Sequence, residues 1–314
     1  MKPEIAILLA TYNGAVHLRA LLDSVLAQKG PDFIVFASDD GSDDSTPEIL
    51  AEYAVRYPGR FRILDGEGVP KRLGACGHFL RMLESVSADI YLLADQDDVW
   101  EEEHLRELFA AYENLSPEER NAPTLVFSDM RVIDDGGADV AKSFLSLERL
   151  PRKVPRPHFY FVQNNVSGCA SLFNRELRNF TLRQADRLDT QSIPMHDAFF
   201  AAIAATFGKI VFVEKPLVKY RIHAKNVLGA QPVTNPVHIV RRLRSQKDDW
   251  RRAQRFAAFF ADYFGDILPQ RELQILSKFA RSDKMPKIAR VSFLWRHGFL
   301  KAGFLRRLSQ IVLW

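Results

Sequence analysis

The segment Tyr91-Leu92-Leu93-Ala94-Asp95-Gln96-Asp97-Asp98 decides how this chain is read. Its apolar half reads as a buried strand, and its acidic half places three carboxylates within four residues at that strand's carboxyl end. Side chains at i and i+2 of an extended segment share a face, so Asp95 and Asp97 converge on one site. Carboxylates held that close repel one another unless they are protonated or bridged by a cation. Hard oxygen ligands suit Mg²⁺ or Mn²⁺, and either ion can in turn bridge the phosphates of a substrate. A solvated acidic turn is the plainer alternative, and the apolar strand before it weighs against that.

Outward from this segment, apolar strands and amphipathic helices alternate. Ile5–Ala10 is a strand ended by Thr11-Tyr12-Asn13-Gly14, and Leu18, Leu21, Leu22, Val25 and Leu26 mark a helix over His17–Gln28. Phe33–Ser38 is a second strand, followed by a helix that Thr46 can cap and Pro47 can open. Phe61–Leu64, a helix over Phe79–Val86 and the strand Ile90–Ala94 complete the first half. Such alternation predicts a Rossmann-like α/β fold with a mainly parallel central sheet and flanking helices, its ligand at the strands' carboxyl ends.

Beyond it follow a helix over Leu105–Leu115, a strand over Thr124–Ser128, an irregular link from Pro151 to Pro157 and a strand over Val166–Phe173. A helix over Asp197–Phe207 and strands at Ile210–Val213 and Leu217–Arg221 come next. After Pro232 the pattern is helical alone, which places a boundary near 231 between a body (1–230) and an extension (231–314).

Composition sharpens that division. The 314 residues carry a net charge of +4, yet residues 231–314 hold 17 Lys and Arg against 6 Asp and Glu, and residues 1–230 hold 26 against 33. An acidic body suits a cation or a cation-bridged anion, and a basic extension suits a phosphate-rich surface or simply solvated helix faces. Apolar content of 47% excludes wholesale disorder. Two cysteines are too few for a disulfide framework and fit a reducing compartment. No apolar run approaches the ~18–20 residues that span a bilayer, and the first residues read as a strand rather than a signal peptide.

Three further groupings bear chemistry. Asp39-Asp40-Gly41-Ser42 ends the second strand; a carboxylate there can accept from a uracil or thymine imide, though the same residues are ordinary turn formers. Met195-His196-Asp197 opens a helix, with Asp197 either capping it or projecting a base into the site. Tyr220-Arg221-Ile222-His223-Ala224-Lys225-Asn226 sets cations and an imidazole after a strand end, where they can meet a diphosphate or complete a metal shell.

In this order these motifs, with Ala10-Thr11-Tyr12-Asn13-Gly14 and Asp95-Gln96-Asp97-Asp98-Val99-Trp100, resemble family 2 glycosyltransferases of the GT-A fold over about residues 4–228. The Asp-Gln-Asp-Asp-Val-Trp and His-Asp forms look most like a bacterial rhamnosyltransferase branch that builds surface polysaccharides. The resemblance implies that Thr11, Tyr12, Asn13 and Asp40 line the nucleotide pocket, that Asp95, Gly168 and Arg221 adjoin the donor, and that Asp97 and His223 hold Mg²⁺ or Mn²⁺. It implies Asp197 as the base of an inverting transfer from a nucleotide-diphosphate sugar, dTDP-rhamnose first and a UDP-hexose second, to a glycan or lipid-linked acceptor. Two departures stand out. His196 occupies a position where the family commonly has Glu, and the Gln-x-x-Arg-Trp of processive members is absent, which favours addition of one or a few sugars.

The extension mixes Trp250, Phe256, Phe259, Phe260, Tyr263 and Phe264, and later Trp295, Phe304 and Trp314, with cations. That suits contact with the inner face of a cell membrane, packing against the body, or a dimer interface. Two other functions compete. A haloacid-dehalogenase-like phosphatase would use Asp95 as nucleophile, but it usually carries Asp-x-Asp on its first strand. A non-catalytic basic binding protein would need a nucleic-acid recognition motif, which the chain does not show.

Overall fold

The structure, a computed structural model, describes residues 3–64, 72–223 and 236–314. Lys225, Asn226 and the boundary near 231 lie outside the described residues. The first half runs β1 (Ile5–Thr11), α1 (Ala15–Leu26), β2 (Ile34–Asp39), α2 (Thr46–Arg56), β3 (Phe61–Ile63), α3 (Gly74–Ser85) and β4 (Ile90–Asp95). The second runs β5 (Val99–Trp100), α4 (His104–Glu113), α5 (Pro117–Arg120), β6 (Thr124–Ile133), β7 (Asp139–Ala141), α6 (Phe144–Leu147), β8 (Ser171–Asn174), α7 (Arg175–Thr181), α8 (His196–Phe207) and β9 (Lys209–Arg221). Four helices close the chain: α9 (Pro236–Tyr263), α10 (Gln270–Ala280), α11 (Lys287–His297) and α12 (Phe304–Leu313).

The strands form one sheet in the order β3-β2-β1-β4-β8-β6-β9-β5, with β7 on β6. Pairing is parallel across β3-β2-β1-β4 and between β6 and β9, as the alternation predicts. It is antiparallel where β8 enters between β4 and β6, so the sheet is mixed. β1 and β4 lie at its middle with helices on both faces, which is why Ile5–Leu9 and Ile90–Ala94 are apolar without alternation and buried throughout.

The sequence-predicted strand over Val166–Phe173 is half right. Residues Gly168–Ala170 form a 3-10 turn, and β8 starts only at Ser171. Thr46 does not cap α2 either: its hydroxyl accepts from Gly14 N–H at 2.9 Å and donates to Asp44, tying two loops together.

The extension shares the body's core. Phe199 and Phe200 of α8 are fully buried, and Phe199 lies 6.3 Å from Phe256 of α9 and 6.2 Å from Phe264 just beyond it. Each such ring contributes roughly 1.5–3 kcal/mol on burial. Polar ties fasten the same seam: Arg183 meets Asp266 at 2.7 and 2.8 Å, and Tyr263 donates to Thr181 O at 2.8 Å. The aromatic residues of α9 that suggested membrane contact are therefore consumed by the interior, because α8 offers them a wholly apolar face. No helix among the described residues is long and apolar enough to cross a membrane.

Candidate active site

Strand register brings the motifs together. Ala10 and Thr11 at the end of β1 pair with Asp95 of β4 and Asp39 of β2, so three carboxyl ends meet at one sheet edge. β8 runs the other way, with Leu172 opposite Leu92, and so delivers its amino end, preceded by Gly168, to the same edge. After Asp98 the chain rejoins the sheet as β5 against β9, Val99 opposite Lys219, which places Arg221 and His223 beside the acidic loop.

Asp197 completes the cluster from α8. Met195 is the N-cap, so Asp197 lies inside the first helical turn rather than capping it, and its Oδ1 accepts from Ala198 N–H at 2.6 Å. Burial pushes its carboxyl up to about 7, against hydrogen bonds from Ala198, Gly168 and the Asn164 side chain that favour the charge. Burial, with the charges of Asp97 and Asp197, raises Asp95 in the same direction. The two groups are thus close enough for one to oppose the ionisation of the other. Asp98 is fully buried and is raised well above the carboxylate range by burial, then by Asp97 and Asp95.

Two observations test whether these residues fit a divalent cation. Asp95, Asp98 and Cys169 can each place a ligand atom within 4.8 Å of the others. Yet burial holds the Cys169 thiol protonated, and a thiol is a poor ligand for hard cations. Asp98 already accepts from Arg221 N–H at 3.0 Å, although its Oδ2 has no hydrogen bond among the described residues. The better pair is Asp97 and His223, partly exposed, with Asp97 Oδ2 2.7 Å from His223 Nε2. His223 stacks at 5.9 Å on His17, whose Nε2 lies 3.0 Å from Asp135. The partly exposed Asp97 carboxylate suits Mg²⁺ or Mn²⁺, and the imidazole of His223, hydrogen-bonded to it here, is a ligand that Mn²⁺ accepts more readily than Mg²⁺.

Arg221 is 6% exposed, and its guanidinium donates to the backbone oxygens of Asp97, Asp134 and Asp135 at 2.9, 3.2 and 2.9 Å. In this geometry it straps the acidic loop to the β6–β7 turn rather than reaching toward a diphosphate.

The first-strand loop is held as firmly. Thr11 donates to Asp39 at 3.0 Å, and Asp39 also accepts from the Gly41 and Ser42 backbones. Asn13 sits at φ 50°, a left-handed conformation that Asn tolerates, with its N–H on Ser42 and its side chain on Asp43 N–H. Asp40 accepts from Leu73 and Gly74 N–H at 2.8 Å each, fixing the start of α3. Tyr12, 44% exposed, is left with a free ring face at the mouth of the site. Sequence reasoning missed the residue that joins the two loops. Gln96 accepts from Tyr12 N–H at 2.8 Å and donates to Tyr12 O at 2.9 Å, a two-way amide clamp inside the quoted motif. Asn164 beside Asp197 was missed too, and its only signal was its place next to Asn165-Val166-Ser167-Gly168.

His196 is structural. Burial drives its imidazole down to about 3, so it stays neutral, packed 4.6 Å from Phe79. A Cβ on Gly168 would lie 2.7 Å from His196 Nε2, which explains why this position lacks a side chain. Gly168→Ala is expected to cost about 1–3 kcal/mol by overpacking, read from denaturant unfolding, and to disturb the Gly168 N–H that Asp197 uses.

Comparison with known proteins agrees with this geometry. The glycosyl transferase family 2 profile matches residues 6–179. A dTDP-rhamnosyl transferase, RfbG of Shigella flexneri, is 27% identical over 232 residues, covering 71% of this chain and 74% of that one. Among solved structures, TarS 1-349 of S. aureus with UDP-GlcNAc superposes with a TM-score of 0.53 at 16% identity, over 98% of this chain and 88% of that one. The Pyrobaculum calidifontis mannosyltransferase PcManGT, solved with GDP-Man and Mn²⁺, gives 0.55 at 17% identity, over 99% and 79%. These structures support the GT-A fold.

Proposed function

Since this chain belongs to glycosyl transferase family 2, and is accordingly a nucleotide-sugar glycosyltransferase, we propose that it carries out an inverting, metal-dependent transfer with Asp197 as the base. The observation that carries this reading is the meeting of Asp95, Asp97 and Asp197, from two separate elements of the fold, at one sheet edge. Asp97 and His223 would hold the Mg²⁺ or Mn²⁺, which supplies neutralisation of the diphosphate leaving group. Arg221 and Gln96 hold the two donor loops in place, and Asp95 borders the ribose and the sugar. Thr11, Tyr12, Asn13 and Asp40 form the nucleotide side. Gly168 gives the sugar a wall without a side chain. Asp197 removes the proton of the acceptor hydroxyl as it attacks the anomeric carbon.

The donor proposed first is dTDP-rhamnose, which the Shigella relative's name supports, and a UDP-hexose comes second. The acceptor is a growing surface glycan or a lipid-linked sugar, met at the inner face of the cell membrane. In this division of labour residues 1–230 catalyse and 231–314 approach the membrane. A thermal-shift panel of nucleotide sugars with Mn²⁺, followed by turnover of those that stabilise, tests the reading. A panel in which none of them shifts the midpoint would sink it.

The raised carboxyls make a further prediction. Asp95 and Asp197 bind a proton more tightly folded, near 7, than unfolded, at 3.8. Their contribution to stability is therefore complete below 3.8 and is lost as pH rises through about 7. Calorimetry of the metal-free protein should show the unfolding midpoint falling between about pH 4 and about pH 7, and Mn²⁺ should recover most of the loss at the upper end.

A further inference from the structure

Residues 284–314 contain seven Lys and Arg and no Asp or Glu. Within them α12 is turned inside out. Its Gln310 is fully buried, donating to Phe299 O at 2.7 Å and accepting from Lys301 N–H at 2.8 Å. Its Arg306 reaches inward to Glu148 at 2.9 Å. Phe304, Leu305, Leu308 and Val312 meanwhile face outward, 79, 67, 46 and 54% exposed. Positions i, i+1, i+4 and i+8 lie on one helical stripe, so the outward face is apolar by design of the pattern rather than by scatter.

α11 widens the same face. Ile288 and Trp295 are 88% and 60% exposed, and seven residues apart they share a side of the helix. The Arg307 guanidinium lies 5.7 Å from the Trp295 ring, and Lys287 Nζ donates to Val312 O at 2.9 Å, so the two helices run side by side. Lys284, Lys287, Arg296 and Arg307 are exposed along this strip.

We propose that the α11–α12 face docks on an anionic lipid bilayer, with the apolar strip at the acyl boundary and these four cations among the headgroup phosphates. Charge selects this occupant. A second copy of the chain would bring the same uncompensated cations face to face, whereas an anionic surface complements all of them at once. The placement also serves the reaction, a point that rests on the function proposed above. Ala302 N–H, between the two helices, donates to Gln163 Oε1 at 2.7 Å, and the next residue, Asn164, supports Asp197. The link between the docked helices is thus tied to the segment that supports Asp197, the base that would receive a lipid-linked acceptor.

Sedimentation of the full chain with vesicles tests the docking. Vesicles of phosphatidylcholine with phosphatidylglycerol should bind the protein at least tenfold better than phosphatidylcholine alone. Trp295 should report it by a blue shift in emission, because Trp100, Trp250 and Trp314 are already buried. The triple change Phe304→Ser, Leu305→Ser, Leu308→Ser is expected to lose at least tenfold, and Arg296→Gln with Arg307→Gln about fivefold per cation at low salt. Wild-type binding retained by the triple variant, or a wild-type dimer that this variant dissolves, would overturn the proposal. Calorimetry with dTDP and with UDP, each with Mn²⁺, separates the two readings. Vesicle binding without any nucleotide binding would remove the transferase mechanism and leave the docking face intact, and unchanged UDP affinity in the triple variant ties its defect to the membrane alone.

Discussion

Asp197→Asn is expected to give a folded protein whose transfer rate is lower by about 10²–10⁴, the usual worth of general-base help. Asn keeps the shape of the side chain and an oxygen for the N–H groups of Ala198 and Gly168, so the start of α8 stays in place. What it lacks is an oxygen that takes up a proton. The first-turn helix dipole and three hydrogen bonds favour the charged form, yet the carboxyl still moves from 3.8 up to about 7. Burial therefore outweighs them and leaves Asp197 poised near neutrality, where a base both ionises and accepts readily. Wild-type turnover should fall with decreasing pH below about 7, and the residual rate of the variant should lack that limb. Above pH 7 the variant should melt no lower than the wild type, since it no longer ionises a buried carboxyl. Single-turnover kinetics beside calorimetry reads all three, and near-normal turnover would remove Asp197 from the role.

The second large effect is expected from Asp97→Ala. Removing the partly exposed carboxylate that faces His223 should abolish the Mn²⁺-dependent part of UDP or dTDP binding and lower transfer by about 10²–10³, the scale of losing one strong electrostatic contact to developing charge. Titration calorimetry with and without Mn²⁺ isolates the metal-linked part. The residues proposed for the nucleotide side, Thr11–Asn13 and Asp40, are untouched, so weak metal-independent binding should persist. Asp95 should also ionise more easily, having lost one of the two charges that oppose it. If the variant binds Mn²⁺ as the wild type does, the ion is held elsewhere, and the Asp95, Asp98 and Cys169 group becomes the place to look.

Much of the donor half was legible in the sequence because its signals are local. A strand buried on both faces is apolar without interruption, and the residues that stop it are those that loops require, so β1 and β4, and at its carboxyl end β2, announce themselves with their terminal Asp and Asn residues. Strand direction is not local. An apolar run has the same composition whether it runs up or down, so nothing in Leu172-Phe173 reveals that β8 opposes β4. Long-range partners were hidden for a related reason. Arg221 offers a cation to any anion in sequence terms, and only the return of the chain through β5 shows backbone oxygens taking its N–H groups. The extension was legible as helical and basic, but the direction of its faces was not. A phenylalanine in α9 and one in α12 look alike in composition, yet Phe256 packs on Phe199 of α8 while Phe304 is 79% exposed.

The reversal of strand direction at β8 has an evolutionary consequence. Strands that exit toward the sheet edge supply the loops that carry Asp39, Asp40 and Asp95, whereas β8 enters from it and brings Gly168 to that edge on its incoming side. The exposed residues 136–140 after β6 can therefore vary while the register of β1, β2 and β4 is preserved, whereas Phe159, Tyr160 and Phe161 of the same stretch are buried and fixed. One scaffold can in this way vary its rim without moving the carboxylates that its parallel strands deliver.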